Sequence, residues 1–200
     1  MELLAPPEEV FLGGSFAILI AGTVLPLIIY QVMNGMLVLA AYDAKVGRPI
    51  RPGTYVTSAL KRLLPLIVMA ILVYVLIMTG FALLIVPGLW VLGVTAVFVP
   101  AVMIEGAGFG AIGRSARLTK GYRRPVVLFI VVVYIIESVV AWILGDLVAI
   151  FGGAAFLLIA QGLFSGVANS IVSIALAMTY ARLREIKEGV GFADLADVFA

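Results

Sequence analysis

Long uncharged apolar stretches alternate with short basic segments along this chain. The apolar stretches cover residues 10–42, 63–104 and 125–181, and the only charges inside them are Glu137 and Asp146. Each stretch is apolar throughout rather than on alternate residues, and each exceeds the about 20 residues that a helix needs to cross a bilayer core of ~30 Å. Because a backbone in lipid must satisfy its own hydrogen bonds, this pattern predicts transmembrane helices.

The basic residues indicate how these helices are connected. All 13 Lys and Arg residues fall into three clusters, which are Lys45, Arg48, Arg51, Lys61 and Arg62, then Arg114, Arg117, Lys120, Arg123 and Arg124, then Arg182, Arg184 and Lys187. Short basic loops stay in the cytoplasm, so each of the two longer stretches is expected to cross the membrane twice. We expect those hairpins to turn at residues 86–88 and at Gly152-Gly153, with Trp90 as an anchor at the outer interface.

The predicted fold class is therefore an all-α, polytopic transmembrane helical bundle of about five spans with short interfacial helices. The spans are expected at about residues 11–42, 63–86, 89–104, 125–148 and 154–182, with a kink at Pro26 and another at Pro100, near the inner end of the third span. Residues 1–200 form a single domain, with the N-terminus outside and the tail, residues 183–200, in the cytoplasm. The alternative is that residues 11–25 lie in the interface or re-enter the membrane.

The composition agrees with this class and excludes several kinds of chemistry. Hydrophobic residues make up 64% of the chain and charged residues 12%, against about 45–50% and about 25% in average soluble domains. The chain has no cysteine and no histidine, which excludes disulfides, thiolate chemistry and ligation of a metal or haem by His. The net charge of +2 does not indicate nucleic-acid binding. We expect no cofactor, no metal and no nucleic-acid partner.

Residues 105–121 are the polar middle of this apolar chain. They predict a short helix, about residues 107–121, that lies along the cytoplasmic interface. Its apolar face is expected to consist of Phe109, Ile112, Gly113 and Ala116. The anionic headgroups of membrane lipids are expected to contact the arginines of this cluster, which are Arg114, Arg117, Arg123 and Arg124.

Glu105 and Arg114 are the clearest charged pair in the sequence. Glu105 ends the third predicted span, and Arg114 follows after a bend at Gly106 and Gly108. We expect the two side chains to form an ion pair that holds the interfacial helix, with Ser115 capping or bonding nearby. The alternative role of Arg114 is to bind a lipid phosphate. No nucleophile–base pair or carboxylate dyad accompanies these residues, so no enzyme activity is predicted.

Polar side chains also occur inside the predicted spans. Gln31, Glu137 and Asn169 all lie roughly 17 Å from the cytoplasmic ends of their helices. This layer predicts either hydrogen bonds that fix helix register or a site for a proton or substrate, and Glu137 is expected to be paired or protonated there. Small residues on one face of the last helix predict close helix packing, within the chain or against a second subunit; these are Gly162, Gly166 and Ser170.

Several of these residues together resemble a known family. The run of Pro87-Gly88, Pro100, Glu105, Arg114-Ser115, Leu118 and Gly121 is similar to the signature of the glycerophosphoryl diester phosphodiesterase membrane-domain family. The loop Asp43, Gly47-Arg48-Pro49 and the C-terminal Tyr180 to Arg184 with Glu188-Gly189 fit the same family. The resemblance implies a multi-pass protein of a prokaryotic inner membrane. Its named enzyme activity belongs to a fused soluble domain, which this sequence lacks, and family members usually have a further N-terminal helix.

These observations predict two kinds of function. The first is a non-catalytic scaffold or accessory subunit of a membrane complex, or a lipid-organising protein. Its partners would be anionic membrane lipids and other membrane subunits or further copies of this chain. The second is a small transporter or lipid-handling protein that uses the polar layer around Glu137.

Overall fold

The protein is described by a computed structural model, which defines the backbone of residues 7–151 and 154–189 and the side chains of residues 22–146 and 158–189. The helices within these ranges are α1 (Pro7–Val46), α2 (Pro52–Lys61), α3 (Leu63–Leu83), α4 (Ile85–Thr95), α5 (Phe98–Glu105), a 3-10 turn (Gly108–Gly110), α6 (Ala111–Thr119), α7 (Arg123–Phe151) and α8 (Ala154–Glu188). The described residues contain no strand. The predicted all-α fold class is confirmed.

Within the described ranges, five helical segments are long and apolar enough to cross a membrane. They are Gly22–Val46, Leu63–Leu83, Ile85–Glu105, Arg123–Asp146 and Leu158–Glu188. The first belongs to α1, which continues as one helix through Pro26. The third combines α4 and α5, so one predicted span is in fact a broken helix. The predicted turn at Gly152-Gly153 and the tail beyond residue 189 lie outside the described residues.

The turn between α3 and α4 is tighter than predicted. Leu84 is the only non-helical residue between the two helices, and its backbone is extended. Pro87 and Gly88 were expected in the turn, but both lie in the first turn of α4, where a proline loses no hydrogen bond. A Cβ on Gly80 would lie 2.9 Å from the Gly88 Cα. The two glycines therefore let the helices of this hairpin pack backbone to backbone.

The break between α4 and α5 follows from Pro100. The ring of a helical proline clashes with the carbonyl four residues earlier and supplies no N–H to it. That carbonyl belongs to Ala96, and Val97 departs from helical geometry with φ −109° and ψ 26°. The predicted effect of Pro100 is thus present, one turn before the proline itself.

The three basic clusters meet at one end of the bundle, which we call the basic end. Arg62 of the first cluster donates to the carbonyls of Val102 and Met103 at the end of α5. Lys187 of the third cluster donates to the carbonyls of Arg117 and Lys120 in the second, at 2.8 and 2.6 Å. The charges that were assigned to one side of the membrane therefore lie together in space.

The most tightly packed part of the protein lies next to the basic end. Side chains from α1, α3, α5, α6 and α8 form one buried apolar cluster, whose largest fully buried members are Tyr180, Leu66, Met103, Leu118 and Val38. α8 continues to Glu188, so residues 183–188 are part of a packed helix and not of the predicted cytoplasmic tail. Leu183 accounts for this, because its side chain is buried in the same cluster.

Candidate functional site

Ser115 joins α6 to the broken helix. Its side chain is fully buried. The hydroxyl donates to the Val94 carbonyl at 2.6 Å and accepts the Val97 N–H at 3.3 Å. Both partners flank the α4–α5 break, where helical hydrogen bonds are missing. The predicted local bond of Ser115 is therefore present, and it satisfies backbone groups that the break leaves without helical partners.

Arg114 and Glu105 form the predicted ion pair. Arg114 Nε lies 2.7 Å from Glu105 Oε2, and Arg114 Nη2 lies 2.6 Å from Glu105 Oε1. This is the bidentate arrangement in which a guanidinium binds a carboxylate most strongly. Gly106 makes the geometry possible, since it ends α5 in the left-handed region with φ 69°. The chain then reverses and brings Arg114 back beside Glu105.

Two further residues, which sequence reasoning did not single out, complete the charged group. Arg184 Nε lies 2.9 Å from Glu105 Oε1 and 3.1 Å from Glu188 Oε2. Glu188 also pairs with Arg114. We call these four residues, Glu105, Arg114, Arg184 and Glu188, the charged clasp. It connects α5, α6 and α8, and its two positive and two negative charges cancel.

The clasp determines the ionisation of Arg114. Hydrogen bonds that Arg114 donates to the carboxylates of Glu105 and Glu188 raise its pKa above the ordinary value, although partial burial opposes this. The charged guanidinium is thus held by two carboxylates, through its Nε, Nη1 and Nη2 atoms. Arg114 was also predicted to contact lipid headgroups, and this stays a prediction, since the carboxylates that bind its guanidinium here both come from the chain itself.

The other arginines of this cluster have different surroundings. Arg117 and Arg124 are exposed. The Arg123 guanidinium lies over the Trp90 ring at 4.8 Å from its centroid, and its Nη2 donates to the Ala116 carbonyl at 3.3 Å. Trp90 was predicted at the outer interface. It instead contacts a residue of the second basic cluster, because α7 begins beside the middle of α4.

The face by which α6 packs against the rest of the protein is not the predicted apolar face. Phe109 is 61% exposed, whereas the fully or nearly fully buried residues of this segment are Ala111, Ser115, Leu118 and Thr119. The prediction assumed one continuous α-helix from residue 107. The 3-10 turn at Gly108–Gly110 has a different number of residues per turn, so it shifts the phase of the helix that follows.

A cavity of about 220 Å³ lies among the transmembrane helices, at the depth of the predicted polar layer, and we call it the polar cavity because polar side chains interrupt its mostly apolar lining. α1, α3, α4, α5, α7 and α8 all contribute to its lining. Its polar lining residues are Tyr30, Gln31, Asn34, Tyr74, Thr95, Tyr134, Asn169 and Ser173. The structure thus brings Gln31 and Asn169 to one cavity, as the predicted layer requires.

Gln31 is the unusual residue of this cavity. Its side chain is only 4% exposed, and its Oε1 has no hydrogen-bond partner among the described residues. Two of the polar residues that line the cavity with it are already hydrogen-bonded. The Tyr30 hydroxyl lies 3.4 Å from Asn169 Oδ1, and Asn169 Nδ2 donates to the Ser165 carbonyl at 2.8 Å. A buried amide oxygen without a donor is destabilising, and it can accept a hydrogen bond from a molecule in the cavity once the amide turns toward it.

Glu137 does not belong to the cavity. It is half-buried on α7, it is not among the lining residues, and it makes no hydrogen bond or ion pair with the described part of the chain. The predicted pairing of Glu137 is therefore absent there. The layer contracts to Gln31 and Asn169, since Glu137 shares a face of α7 with the lining residues Ile130 and Tyr134 but lies further along the helix, beyond the cavity.

The small-residue face of α8 has open space beside both of its glycines among the described residues. A Cβ on Gly162 or Gly166 would meet nothing within 4 Å among the described residues. Ser170 donates to the Gly166 carbonyl at 2.8 Å within its own helix. The intramolecular contact that this spacing predicted is therefore absent from the described structure, because the neighbouring helices contact other faces of α8.

Sequence reasoning missed three residues of the basic end. Arg184 and Glu188 are four residues apart on one helix, a spacing that favours an ion pair and was available as a signal. Arg62, which caps the carbonyls at the end of α5, had no local signal. No family model, no curated protein and no solved structure matches this chain. The resemblance to the phosphodiesterase membrane-domain family therefore stays a prediction.

Proposed function

We propose that this is a non-catalytic, multi-pass membrane protein that binds a small uncharged molecule in the polar cavity, as a lipid-handling protein or a small transporter. The observation that carries the proposal is the buried, unpartnered Oε1 of Gln31 beside that cavity. Leaving such a group unsatisfied costs about 1–3 kcal/mol. A ligand that donates a hydrogen bond to Gln31 would remove this cost.

The cavity supports a particular class of ligand. A volume of about 220 Å³ equals roughly seven waters at ~30 Å³ each, so the ligand is smaller than a drug-sized molecule. None of the described residues that line the cavity is charged, and most are apolar. The ligand class is therefore a neutral amphiphile with a hydroxyl or amide donor and a short apolar body.

Gln31→Leu tests this proposal. The substitution replaces the unpartnered amide by an apolar group of similar size, which is expected to leave stability unchanged or slightly raised. The neutral diol 1,2-octanediol should raise the Tm of the wild-type protein in nanodiscs and should have little effect on the variant. Met33→Leu, on the lipid-facing side of the same helix, is the matched control and should respond as wild type does. Equal shifts in wild type and Gln31→Leu would contradict the proposal.

The open small-residue face of α8 favours a second candidate, an accessory subunit that associates through this helix. Small residues allow close backbone approach between helices in lipid, and Gly162 and Gly166 have unfilled space beside them. Gly166→Leu should reduce the fraction of assembled protein, measured by native mass spectrometry from mild detergent. Gly22→Leu is the control, since that glycine also has open space but has no small residue four positions away. Purely monomeric wild-type protein without retained partners would count against this candidate.

We further propose that the basic end faces the cytoplasm of a prokaryotic cell and that the protein resides in its inner membrane. The clustering of all three basic segments at one end supports this orientation, since short basic loops are retained in the cytoplasm. The C-terminus would then be cytoplasmic. The family resemblance supports the choice of membrane.

A further inference from the structure

A lipid-facing groove lies between α4 and α7, away from the polar cavity. Its volume is about 360 Å³, and its lining residues are Leu89, Trp90, Arg123, Arg124, Val127, Leu128 and Val131. Leu128 is 64% exposed, which shows that the groove opens to the surrounding membrane. Its walls are apolar apart from the two arginines. We call it the α4–α7 groove.

The two arginines lie together at the start of α7, where the groove meets the basic end. Arg124 is exposed and makes no hydrogen bond or ion pair with the described residues. Arg123 also lacks a carboxylate partner in the described structure, and its Nε is buried without any hydrogen-bond partner there. Stacking on Trp90 holds its guanidinium in place. The groove therefore has two positive charges that the described protein does not neutralise.

Other arginines of the basic end differ in this respect. Arg114 and Arg184 are neutralised in the charged clasp. Arg182 borders a second lipid-facing groove between α7 and α8, of about 490 Å³, but it pairs with Glu185 at 2.6 Å. Free positive charge and an apolar groove thus coincide only between α4 and α7 among these sites. An anion bound there would also lie at the N-terminus of α7, where the helix dipole favours negative charge.

We propose that the α4–α7 groove binds an anionic phospholipid. Arg123 and Arg124 hold the phosphate through the outer N–H groups of their guanidinium ends, and an acyl chain lies along Leu128 and its apolar neighbours. A guanidinium pair provides the planar donors that phosphate accepts. The apolar walls distinguish a lipid from free phosphate, because only a lipid also covers the exposed groove.

Native mass spectrometry of the purified protein tests this site. The protein is titrated with phosphatidylglycerol, and separately with phosphatidylcholine that carries the same acyl chains. We expect the wild-type protein to bind phosphatidylglycerol more tightly than phosphatidylcholine. Arg124→Gln should lower the affinity for phosphatidylglycerol about 5-fold, and the double variant Arg123→Gln with Arg124→Gln about 30-fold. Both values come from the typical attraction of a surface arginine to anionic lipid. Arg182→Gln removes the same charge beside the other groove and should change the affinity by less than about 2-fold.

A second variant tests the apolar part of the site without changing its charge. Leu128→Trp fills the groove and should weaken the binding of phosphatidylglycerol by about 10-fold, while leaving thermal stability unchanged because the side chain is lipid-facing. Equal binding of the two lipids, equal losses in Arg182→Gln and Arg124→Gln, or displacement of the lipid by millimolar inorganic phosphate would each overturn the proposal.

Discussion

Removal of Arg114 should loosen the basic end of the bundle. In Arg114→Gln, Glu105 loses a bidentate pair and Glu188 loses a second contact. The four side chains of the clasp are only 14% to 26% exposed, so solvent replaces these bonds poorly. The change therefore affects the connection of α6 to both α5 and α8.

The loss of stability in Arg114→Gln depends on the contacts that Arg184 still makes. Breaking a fully buried ion pair costs about 3–5 kcal/mol, and an exposed pair contributes about 0–1 kcal/mol. Arg184 still contacts both glutamates in the variant, which prevents either from being left entirely unpaired. An intermediate loss of about 2–3 kcal/mol is expected. For a chain of this length it corresponds to a fall in Tm of about 4–12 °C.

Thermal unfolding in nanodiscs of fixed lipid composition measures this loss. Arg182→Gln is the control, because its side chain is 72% exposed and pairs only with Glu185 on the same helix; its Tm should change by about 2 °C at most. The double variant Arg114→Gln with Glu105→Gln should lose less than the sum of the two single variants, since they remove one shared interaction. Equal Tm values for Arg114→Gln and Arg182→Gln would refute the role assigned to the clasp.

Three further predictions concern the α4–α5 break, the hairpin of α3 and α4, and the orientation of the protein in the membrane. Ser115→Ala should lower the free energy of unfolding by about 1–3 kcal/mol, because it leaves buried backbone groups of the α4–α5 break unpaired. Ser138→Ala is the control in the same thermal assay. It removes only an exposed hydrogen bond within its own helix and should cost under about 0.5 kcal/mol. Gly80→Ala should lower stability by about 1–3 kcal/mol, since its Cβ would lie 2.9 Å from the backbone of α4; unchanged unfolding would contradict that close packing. The chain has no cysteine, so Arg51→Cys and Val86→Cys each create a single thiol, and a membrane-impermeant maleimide on intact cells should label only the second if the basic end is cytoplasmic.

The sequence alone was sufficient for the fold class and for the local pairings. The spans follow from continuous apolar runs, since lipid selects for uninterrupted hydrophobicity along each segment. The pair of Glu105 and Arg114 was also predictable, because the two residues flank one short bend. Ser115 and Pro100 act on residues near them in space or in sequence. A hydrogen bond of Ser115 and a break of the helix near Pro100 were therefore predicted.

Only the tertiary structure decided how distant segments meet and which faces they use. Arg184 and Glu188 join the clasp because α8 packs beside α5, and no local pattern contains that contact. The phase of α6, the position of Trp90 beside Arg123 and the open face at Gly162 each depend on how one helix is rotated against another. In lipid the helix surfaces are apolar on all sides, so hydropathy determines that a segment spans the membrane but not which side faces the protein. Helix rotation and side-chain packing decide which side faces the protein. They leave Gln31 Oε1 without a hydrogen-bond partner, and Arg123 and Arg124 without a carboxylate partner, among the described residues, and the two binding proposals rest on these features.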